Sequence, residues 1–189
     1  LLTFAAMFRK VLIANRGEIA CRVIRTAKRM GIATVAVYSD ADQDSLAVRM
    51  ADEAVRLGPS PASESYLVAD KVLAAIEQTG AEAVHPGYGF LSENAEFARP
   101  LLKAGVTFVG PPADAIAAMG DKIESKKLAA AAGVSTITGH PGVIEDAAAA
   151  REIANGIGYP VMIKASAGGG GKGMRIARSD SEVADGFRS

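Results

Sequence analysis

The amino-acid sequence predicts an α/β protein in which a Rossmann-like parallel sheet domain is followed by the start of a second domain. Over the first 120 residues, short β-rich runs alternate with segments whose apolar residues recur at helical spacing. Parallel neighbours in a sheet need long crossover connections, and helices of this length supply them. Beyond that point, two short β-rich runs flank a stretch of glycine, which indicates a hairpin. We therefore predict one domain over 7–120 and a second over 121–189.

The elements of the first domain follow one another as strand and helix in turn. Four short strands are predicted, at residues 11–14, 34–38, 83–84 and 106–109. Each of the three helices between them has an apolar stripe and ends at a glycine, which stops a helix readily: Gly31, Gly80 or Gly105. The residues expected on these stripes are Ile19, Val23, Ala27, Met30, Leu67, Val68, Val72, Leu73, Ile76, Phe97, Leu101 and Leu102.

The second domain is predicted to begin with helices at about 121–132 and 143–157. Two short strands follow at 161–163 and 174–176, separated by glycines. A last helix is expected over 183–187, with nothing left for it to pack against. This order is that of a linker helix followed by part of a second fold.

Composition excludes several classes of partner. Basic and acidic residues number 21 each among 189, so no overall field attracts the chain to nucleic acid or to an anionic membrane. A phosphate site must therefore be built from local groups. The single cysteine, Cys21, has no partner for an internal disulfide or a zinc site, which favours a reducing compartment. We expect the cytoplasm, or the mitochondrial matrix in a eukaryote.

The opening eight residues are apolar but too short to span a bilayer. Met7 is a more natural start than Leu1. Residues 1–6 are therefore interpreted as an upstream translation scar or as the end of a removed leader.

The glycine run is the segment that most strongly indicates a ligand site. Four successive glycines, Gly168, Gly169, Gly170 and Gly171, lose much conformational entropy on ordering and contribute no packing. Their advantage is that backbone N–H groups without neighbouring Cβ atoms can converge on phosphate oxygens, with Lys164 and Lys172 nearby. Lys172 is followed by Gly173 and then a strand, so this is not a Walker A loop. The alternative is an unliganded surface hairpin.

A lysine at a predicted helix start is the second indication of an anion. Asp121 can cap the helix and Glu124 can reach back to it, which places Lys122 in the first turn. A cation there opposes the helix dipole by about 0.3–1 kcal/mol unless an anion lies close by. A nucleotide phosphate would serve, but an exposed lysine that tolerates this cost is an equally good explanation.

The third segment, 85–94, follows the third predicted strand, at the edge of the sheet where ligands bind in open parallel sheets. Gly87 and Gly89 surround Tyr88, which suggests a backbone that passes close to another group. Ser92 can cap the next helix. For each residue taken singly, a rigid turn with His85 and Tyr88 satisfied internally is as good an explanation.

The turn after the first strand argues against a dinucleotide site. Such a site needs three spaced glycines there, and only Gly17 is present. Asp40 closes the second strand as a ribose-binding acid would, but an acid after a strand is common. An NAD-dependent enzyme is therefore the least favoured alternative. Cys21 lies on the first helix without a neighbouring histidine, which predicts a packed thiol and not a nucleophile.

Taken together, these segments resemble the biotin carboxylase component of biotin-dependent carboxylases, a family of ATP-grasp enzymes. The resemblance extends from Phe8 to the end of the chain. The runs that match the family are 13–20, 85–94, 119–122 and 158–166 with the glycines after it. The sequences of segments 120–126 and 161–177 are most similar to those of the acyl-CoA carboxylases of this family.

The resemblance implies a fold, a reaction and partners. The fold is a Rossmann-like, pre-ATP-grasp domain followed by the start of an ATP-grasp domain with its glycine-rich lid. The reaction uses ATP and Mg²⁺ to activate bicarbonate as carboxyphosphate, and then transfers the carboxyl group to biotin on a carrier domain. The implied partners are that carrier domain, a carboxyltransferase subunit and a second copy of the chain, with no nucleic acid and no membrane.

The resemblance also implies roles for individual residues. Lys122 and Lys164 would contact ATP phosphates. Gly168 to Gly171 together with Gly173 would form the loop that closes over them. Tyr88, with Gly87 and Gly89 beside it, would lie near the biotin and bicarbonate site. The alternative to this enzyme is a stand-alone nucleotide-binding module without chemistry.

The sequence departs from the family pattern in two places. It ends at Ser189, ahead of the family's magnesium-binding glutamates and its bicarbonate-binding and general-base residues, so no catalytic or metal-binding residue is assigned. At 138–141 it has Thr-Gly-His-Pro where a Pro-Gly pair is more usual, which leaves the entry to the lid less certain.

A polypeptide of these 189 residues is expected to show no bicarbonate-dependent hydrolysis of ATP, because it holds none of the family's magnesium-binding glutamates. The measurement is phosphate release by the purified polypeptide with and without bicarbonate. Turnover that depends on bicarbonate would contradict the expectation.

Overall fold

The computed structural model describes residues 7–140, 142–164 and 173–188, apart from the side chains of Lys122 and Ile123. The chain divides into two compact units between Gly120 and Asp121. Within the described ranges, no helix has both the length and the apolar character needed to cross a membrane.

The first unit is built on a five-stranded parallel sheet with the strand order β3-β2-β1-β4-β5. Its strands are β1 Lys10–Ile13, β2 Ala33–Ser39, β3 Glu53–Gly58, β4 Ala83–His85 and β5 Thr107–Phe108. Its helices are α1 Gly17–Arg29, α2 Leu46–Met50, α3 Ala69–Thr79, α4 Ala95–Lys103 and α5 Ala113–Gly120. The predicted fold class, a Rossmann-like parallel sheet, is confirmed.

Alternate residues of the central strand face opposite sides of this sheet. Leu12 belongs to a core that also contains Val72 of α3 and Phe97 of α4. Val11 and Ile13 belong to a second core, formed with α1 and α2. A parallel sheet covered by helices on both faces needs strands that are apolar throughout, and this explains the uninterrupted apolar run of β1.

The direction in which the chain winds changes beside β1. From β1 the chain proceeds outward to β2 and β3, and then crosses back to place β4 on the other side of β1. β1 pairs with both neighbours in parallel, with Leu12 opposite Val35 of β2 and Val84 of β4. The segments that follow β1 and β4 therefore emerge side by side at the carboxyl edge of the sheet.

The prediction of four strands missed β3. Its sequence, Glu-Ala-Val-Arg-Leu-Gly, is polar at two positions, and its first four residues are exposed or half-buried because β3 is an edge strand. Three expected stripe residues are also exposed. Leu67 lies before the start of α3 and is 45% exposed. Met30 follows the last residue of α1 and is 54% exposed, and Leu102 on α4 is 83% exposed.

The second unit contains three helices and an antiparallel hairpin among its described residues. The helices are α6 Lys122–Ala131, α7 Ala147–Ile157 and α8 Asp180–Arg188, and the strands are β6 Val161–Lys164 and β7 Met174–Ala177. The predicted hairpin is confirmed. The expectation that the last helix has nothing to pack against is wrong, because Val183 of α8 is buried with Ala150, Ala154 and Ala177 in a small core.

Phe97 provides a test of the first core. It is fully buried, and replacing such a side chain by alanine removes apolar contacts and leaves a cavity. Phe97→Ala is expected to lower the free energy of unfolding by about 3–5 kcal/mol. Leu102→Ala on the same helix, where the side chain is exposed, is expected to change it by less than about 0.5 kcal/mol. Urea unfolding followed by far-UV circular dichroism gives both values, and equal losses would contradict the assignment of the core.

Candidate functional site

The loops after β1 and β4 form the candidate site of the first unit. We call residues 15–18 the first turn and residues 86–90 the Tyr88 loop. Asn15, which is 5% exposed, uses its side-chain amide to join them. Its Nδ2 donates to the carbonyl oxygens of Pro86 at 2.7 Å and of Tyr88 at 2.9 Å. In open α/β sheets this place, where the winding reverses, is where ligands bind.

The Tyr88 loop has an unusual backbone. Gly87, Gly89 and Phe90 have φ values of +66°, +65° and +45°. At Gly87 a side chain is excluded by space as well as by conformation, because an added Cβ would lie 2.7 Å from Nδ2 of Asn15. The prediction that two glycines let the backbone pass close to another group is confirmed for Gly87, and the group is Asn15.

The phenol of Tyr88 is held from the first helix. Its hydroxyl donates a 2.5 Å hydrogen bond to Oε1 of Glu18, while the residue is 62% exposed. The hydrogen bond to the carboxylate raises the pKa of Tyr88, so the phenol remains protonated over the ordinary range of pH. The ring is therefore presented to solvent at the carboxyl edge of the sheet, with its hydroxyl oriented.

Beside the loop lies a network of five side chains, Arg16, Ser39, Asp42, Tyr66 and Phe90, which we call the Asp42 network. Oδ2 of Asp42 accepts hydrogen bonds from the Tyr66 hydroxyl at 2.7 Å, from Oγ of Ser39 at 3.1 Å and from Nη1 of Arg16 at 3.3 Å. The rings of Tyr66 and Phe90 stack with centroids 5.1 Å apart. The network thus connects the ends of β1 and β2 to the Tyr88 loop.

Charge and burial fix the protonation of this network. Burial acts to raise the pKa of Asp42. Hydrogen bonds from Tyr66, Arg16 and Ser39 outweigh burial and leave this pKa below its ordinary value. Burial, with the hydrogen bond to Asp42, raises the pKa of Tyr66 to about 12. The guanidinium carbon of Arg16 lies 5.8 Å from the ring centroid of Tyr66 and 6.0 Å from that of Phe90. A buried phenol, a carboxylate and a cation therefore satisfy one another.

His85 ends β4 and supports the same loop. Its Nδ1 accepts a hydrogen bond from the backbone N–H of Gly87 at 3.0 Å, so the proton of the neutral ring is on Nε2. Burial, with a smaller contribution from the charge of Arg22, lowers the pKa of His85. A proton on Nδ1 would remove the acceptor, so the neutral ring is the form that fits this geometry.

The hairpin of the second unit carries two of the other predicted site residues, Lys164 and Gly173. Val161 and Ile163 of β6 pack in the core of the unit, and Lys164, the last residue of β6, is exposed. Lys164 pairs across the hairpin with Met174. Gly173, with φ +73°, directly precedes β7. Lys164 and Gly173 are thus brought together at one end of the hairpin.

The outer side of this hairpin is apolar next to Lys164. Met162 is 50% exposed and pairs with Ile176, which is 54% exposed. Met174, opposite Lys164, is 40% exposed. One cation at the edge of an exposed apolar surface suits a ligand with a flat apolar part and a negative charge.

Some predicted positions cannot be placed. The four glycines 168–171 and Lys172 lie outside the described residues, and so does the side chain of Lys122. The backbone of Lys122 begins α6, and Oδ1 of Asp121 accepts a 2.8 Å hydrogen bond from the N–H of Glu124, which confirms the predicted cap. In the described ranges, no group of three or more histidine, cysteine, aspartate or glutamate side chains could hold a metal ion.

Three smaller predictions have clear outcomes. Asn94, and not Ser92, caps α4 by accepting from the N–H of Phe97 at 3.0 Å. Asp40 pairs with Arg56 at 2.6 Å, which explains an acid at the end of β2 without a ribose. Cys21 is buried in the core of α1, as a packed thiol should be.

Sequence reasoning gave no role to most of the residues that hold the Tyr88 loop. Asp42 and Tyr66 were not singled out at all. Asn15, Arg16 and Glu18 entered only as members of the turn that argues against a dinucleotide site and of the run 13–20 that matches the family. The hydrogen bonds from Asn15 to Tyr88, from Tyr66 to Asp42 and from Tyr88 to Glu18 join residues 24 to 73 positions apart, which is beyond the reach of any local periodicity. One available signal was the position of the first turn, directly after a buried strand, where parallel sheets place ligand-binding groups.

Comparison with known families gives two matches that together span most of the chain. Residues 7–116 match the biotin carboxylase N-terminal domain. Residues 121–189 match the ATP-binding domain of the carbamoyl-phosphate synthase L chain.

Individual relatives agree with these matches. The chain is 69% identical, over 97% of its length, to the propionyl-CoA carboxylase alpha chain of Ruegeria pomeroyi, of which it covers 27%. It is 59% identical, over 93% of its length, to a mitochondrial methylcrotonoyl-CoA carboxylase subunit alpha of Oryza sativa, of which it covers 24%. The chain therefore spans about a quarter of the length of these curated relatives.

A solved structure has the same fold. The biotin carboxylase domain of Hydrogenobacter thermophilus 2-oxoglutarate carboxylase, a dimer in complex with MgADP, ADP and bicarbonate, superposes with a TM-score of 0.88. It is 49% identical in sequence over 97% of this chain and 40% of that one.

The geometry at His85 predicts a pH dependence of stability. Because folding lowers the pKa of this base below its ordinary 6.5, its contribution to stability is complete above that value and is lost as the pH falls through the folded pKa. Wild-type protein should thus lose unfolding free energy between about pH 7.5 and 5.5, and His85→Gln should lose less of it.

The measurement is the urea midpoint at the two pH values. The chain's other histidine provides the matched control, since His140→Gln should retain the wild-type dependence. A full wild-type slope in His85→Gln would contradict the prediction.

Proposed function

The chain belongs to the biotin carboxylase family, and from this membership we propose that it forms the amino-terminal part of an enzyme that uses MgATP and bicarbonate to carboxylate biotin. Biotin would be attached to a carrier domain. The parent enzyme is an ATP-dependent ligase of the biotin-dependent carboxylase type. The observation that carries the proposal is the pair of family matches, to a biotin carboxylase domain and to an ATP-binding domain, in this order on one chain.

The hairpin of the second unit supports the nucleotide part of this function. Its outer side combines the exposed apolar residues Met162 and Ile176 with the cation of Lys164. An apolar surface suits a purine and a lysine suits a phosphate. A structural relative at 49% identity is in complex with MgADP, ADP and bicarbonate, which is the ligand set that the proposal needs.

In the proposed enzyme, ATP supplies a phosphoryl group that makes bicarbonate reactive. The residues of this chain bind and enclose the nucleotide. Lys122 and Lys164 neutralise phosphate charge, and the loop of Gly168 to Gly171 with Gly173 offers backbone N–H groups to the phosphate oxygens. In the described part of the chain, no group of three or more histidine, cysteine, aspartate or glutamate side chains could hold a metal ion, and we assign no magnesium ligand there.

The first unit would serve the acceptor side of the reaction. Tyr88 is exposed at the carboxyl edge of the sheet, and Gly87 and Gly89 give the loop the conformation that presents it. This is where a ligand is expected in an open parallel sheet. We place biotin and bicarbonate near this loop.

The acyl-CoA that receives the carboxyl group is proposed to be propionyl-CoA. The Ruegeria pomeroyi propionyl-CoA carboxylase chain is 69% identical to this one, and the Oryza sativa methylcrotonoyl-CoA carboxylase chain is 59% identical. Methylcrotonyl-CoA and acetyl-CoA are the next candidates. A carboxyltransferase subunit, a biotin carrier domain and a second copy of the chain are the proposed partners. The proposed compartment is the cytoplasm, or the mitochondrial matrix in a eukaryote.

Lys164 is the residue on which to test the nucleotide site. In the complete enzyme, Lys164→Ala is expected to raise the KM for ATP about tenfold or more, because a charge-assisted contact to phosphate is lost. Lys103→Ala, an exposed lysine on α4, is the matched control and should leave the KM unchanged. The assay is ATP hydrolysis that depends on both bicarbonate and biotin.

The same assay separates the enzyme from a non-catalytic nucleotide-binding module. If the complete protein binds ATP tightly but hydrolyses none in the presence of bicarbonate and biotin, the proposed reaction is wrong and the module is favoured. If hydrolysis occurs and Lys164→Ala leaves the KM for ATP unchanged, the reaction stands but the assignment of Lys164 is wrong.

A further inference from the structure

The first turn holds three different parts of the Tyr88 loop. Asn15 bonds the loop backbone at Pro86 and Tyr88. Arg16 lies beside the ring of Phe90. Glu18 accepts the hydrogen bond of the Tyr88 phenol. The hydrogen bonds among these contacts bridge 70 to 73 residues of sequence, so neither loop determines its position alone.

Asn15 makes the backbone contact rigid. The residue is buried, its Nδ2 serves two carbonyl oxygens, and its Oδ1 accepts a 2.9 Å hydrogen bond from the N–H of Arg16. Every polar atom of the side chain is therefore used, and rotation would leave buried groups unsatisfied. Because Gly87 packs against the same side chain, with no space for a Cβ, a shift of Asn15 would displace the loop.

Glu18 determines the direction of the phenol. The ring of Tyr88 is largely exposed, so packing restrains it little and the short hydrogen bond to the carboxylate is its main restraint. Glu18 itself lies at the amino-terminal end of α1, where the helix dipole favours a carboxylate. A carboxylate fixed by the helix thus orients a hydroxyl on a different loop.

We propose that the first turn is a positioning element for Tyr88. Asn15 fixes the position of the loop backbone, and Glu18 orients the phenol. The functional consequence rests on the proposed function, because it supposes that biotin and bicarbonate lie near Tyr88. Glu18 is a positioning residue and not a catalytic one, since it acts through the hydroxyl of Tyr88. In a dinucleotide fold the turn after the first strand binds phosphate, whereas here we assign it the role of positioning the Tyr88 loop.

The decisive experiment is a double-mutant cycle in the complete enzyme with free biotin as the probe. Tyr88→Phe and Glu18→Ala are each expected to lower kcat/KM for biotin by about three- to tenfold, with the KM for ATP unchanged. The double variant should lose no more than the worse single variant, because Glu18 has no hydroxyl left to orient. Losses that multiply would overturn the proposal, since the two residues would then act independently.

Two further variants sharpen the cycle. Glu18→Gln keeps an acceptor oxygen and should recover part of the activity that Glu18→Ala loses, whereas a purely electrostatic role would give no recovery. Glu77→Ala is the matched control, an exposed glutamate on α3, and should behave as wild type.

A readout without activity separates this inference from the proposed function. The pKa of the Tyr88 phenol can be followed by NMR of protein labelled with ¹³C at Cζ of tyrosine. Because the hydrogen bond to Glu18 raises this pKa, Glu18→Ala, which removes the acceptor, should lower it towards 10.0, and Glu77→Ala should leave it unchanged. An unchanged Tyr88 pKa in Glu18→Ala would overturn the positioning role. If wild-type enzyme shows no dependence on biotin while the Tyr88 pKa falls as expected, the proposed function fails and the positioning contact stands.

Discussion

The side-chain amide of Asn15 is the interaction on which the candidate site of the first unit depends. The sheet order leaves the ends of β1 and β4 side by side, but adjacency alone does not fix two loops. Asn15 fixes the distance between the first turn and the Tyr88 loop by donating to two carbonyl oxygens of that loop. A buried amide that lost either bond would cost about 1–3 kcal/mol. A single residue therefore links the order of the strands to the geometry of the candidate site.

The Asp42 network explains how the loop tolerates its backbone conformation. Phe90 is a non-glycine residue with φ +45°, a conformation that costs about 1 kcal/mol or more. Its ring stacks on Tyr66, and aromatic pairs of this kind contribute about 0.5–1.5 kcal/mol beyond their buried area. Tyr66 is itself fixed by Asp42. The stacking contribution is thus similar in size to the cost of the backbone conformation and offsets it.

Much of the fold could be predicted from the sequence because its strongest signals are local. Most residues of β1 and β2 are buried, on both faces of the sheet, and most of them are apolar, while the hairpin shows two short strands around glycines. β3 was missed because an edge strand can be polar. The site was harder still. Tyr88 could be singled out from its glycines, but its partner Glu18 lies 70 residues earlier, and only the sheet order brings them together.

In the second unit the position of Lys164 depends on a helix that follows it in sequence. A two-stranded hairpin is marginal by itself in water, and here its inner side packs on α7 and α8. The core is small and made largely of alanine, so the elements must approach closely. Gly186 of α8 permits this, because a Cβ there would lie 3.1 Å from Cδ1 of Ile163. A glycine inside a helix costs about 1 kcal/mol relative to alanine. The helix accepts that cost at a position where closer contact holds β6, and with it Lys164, in place.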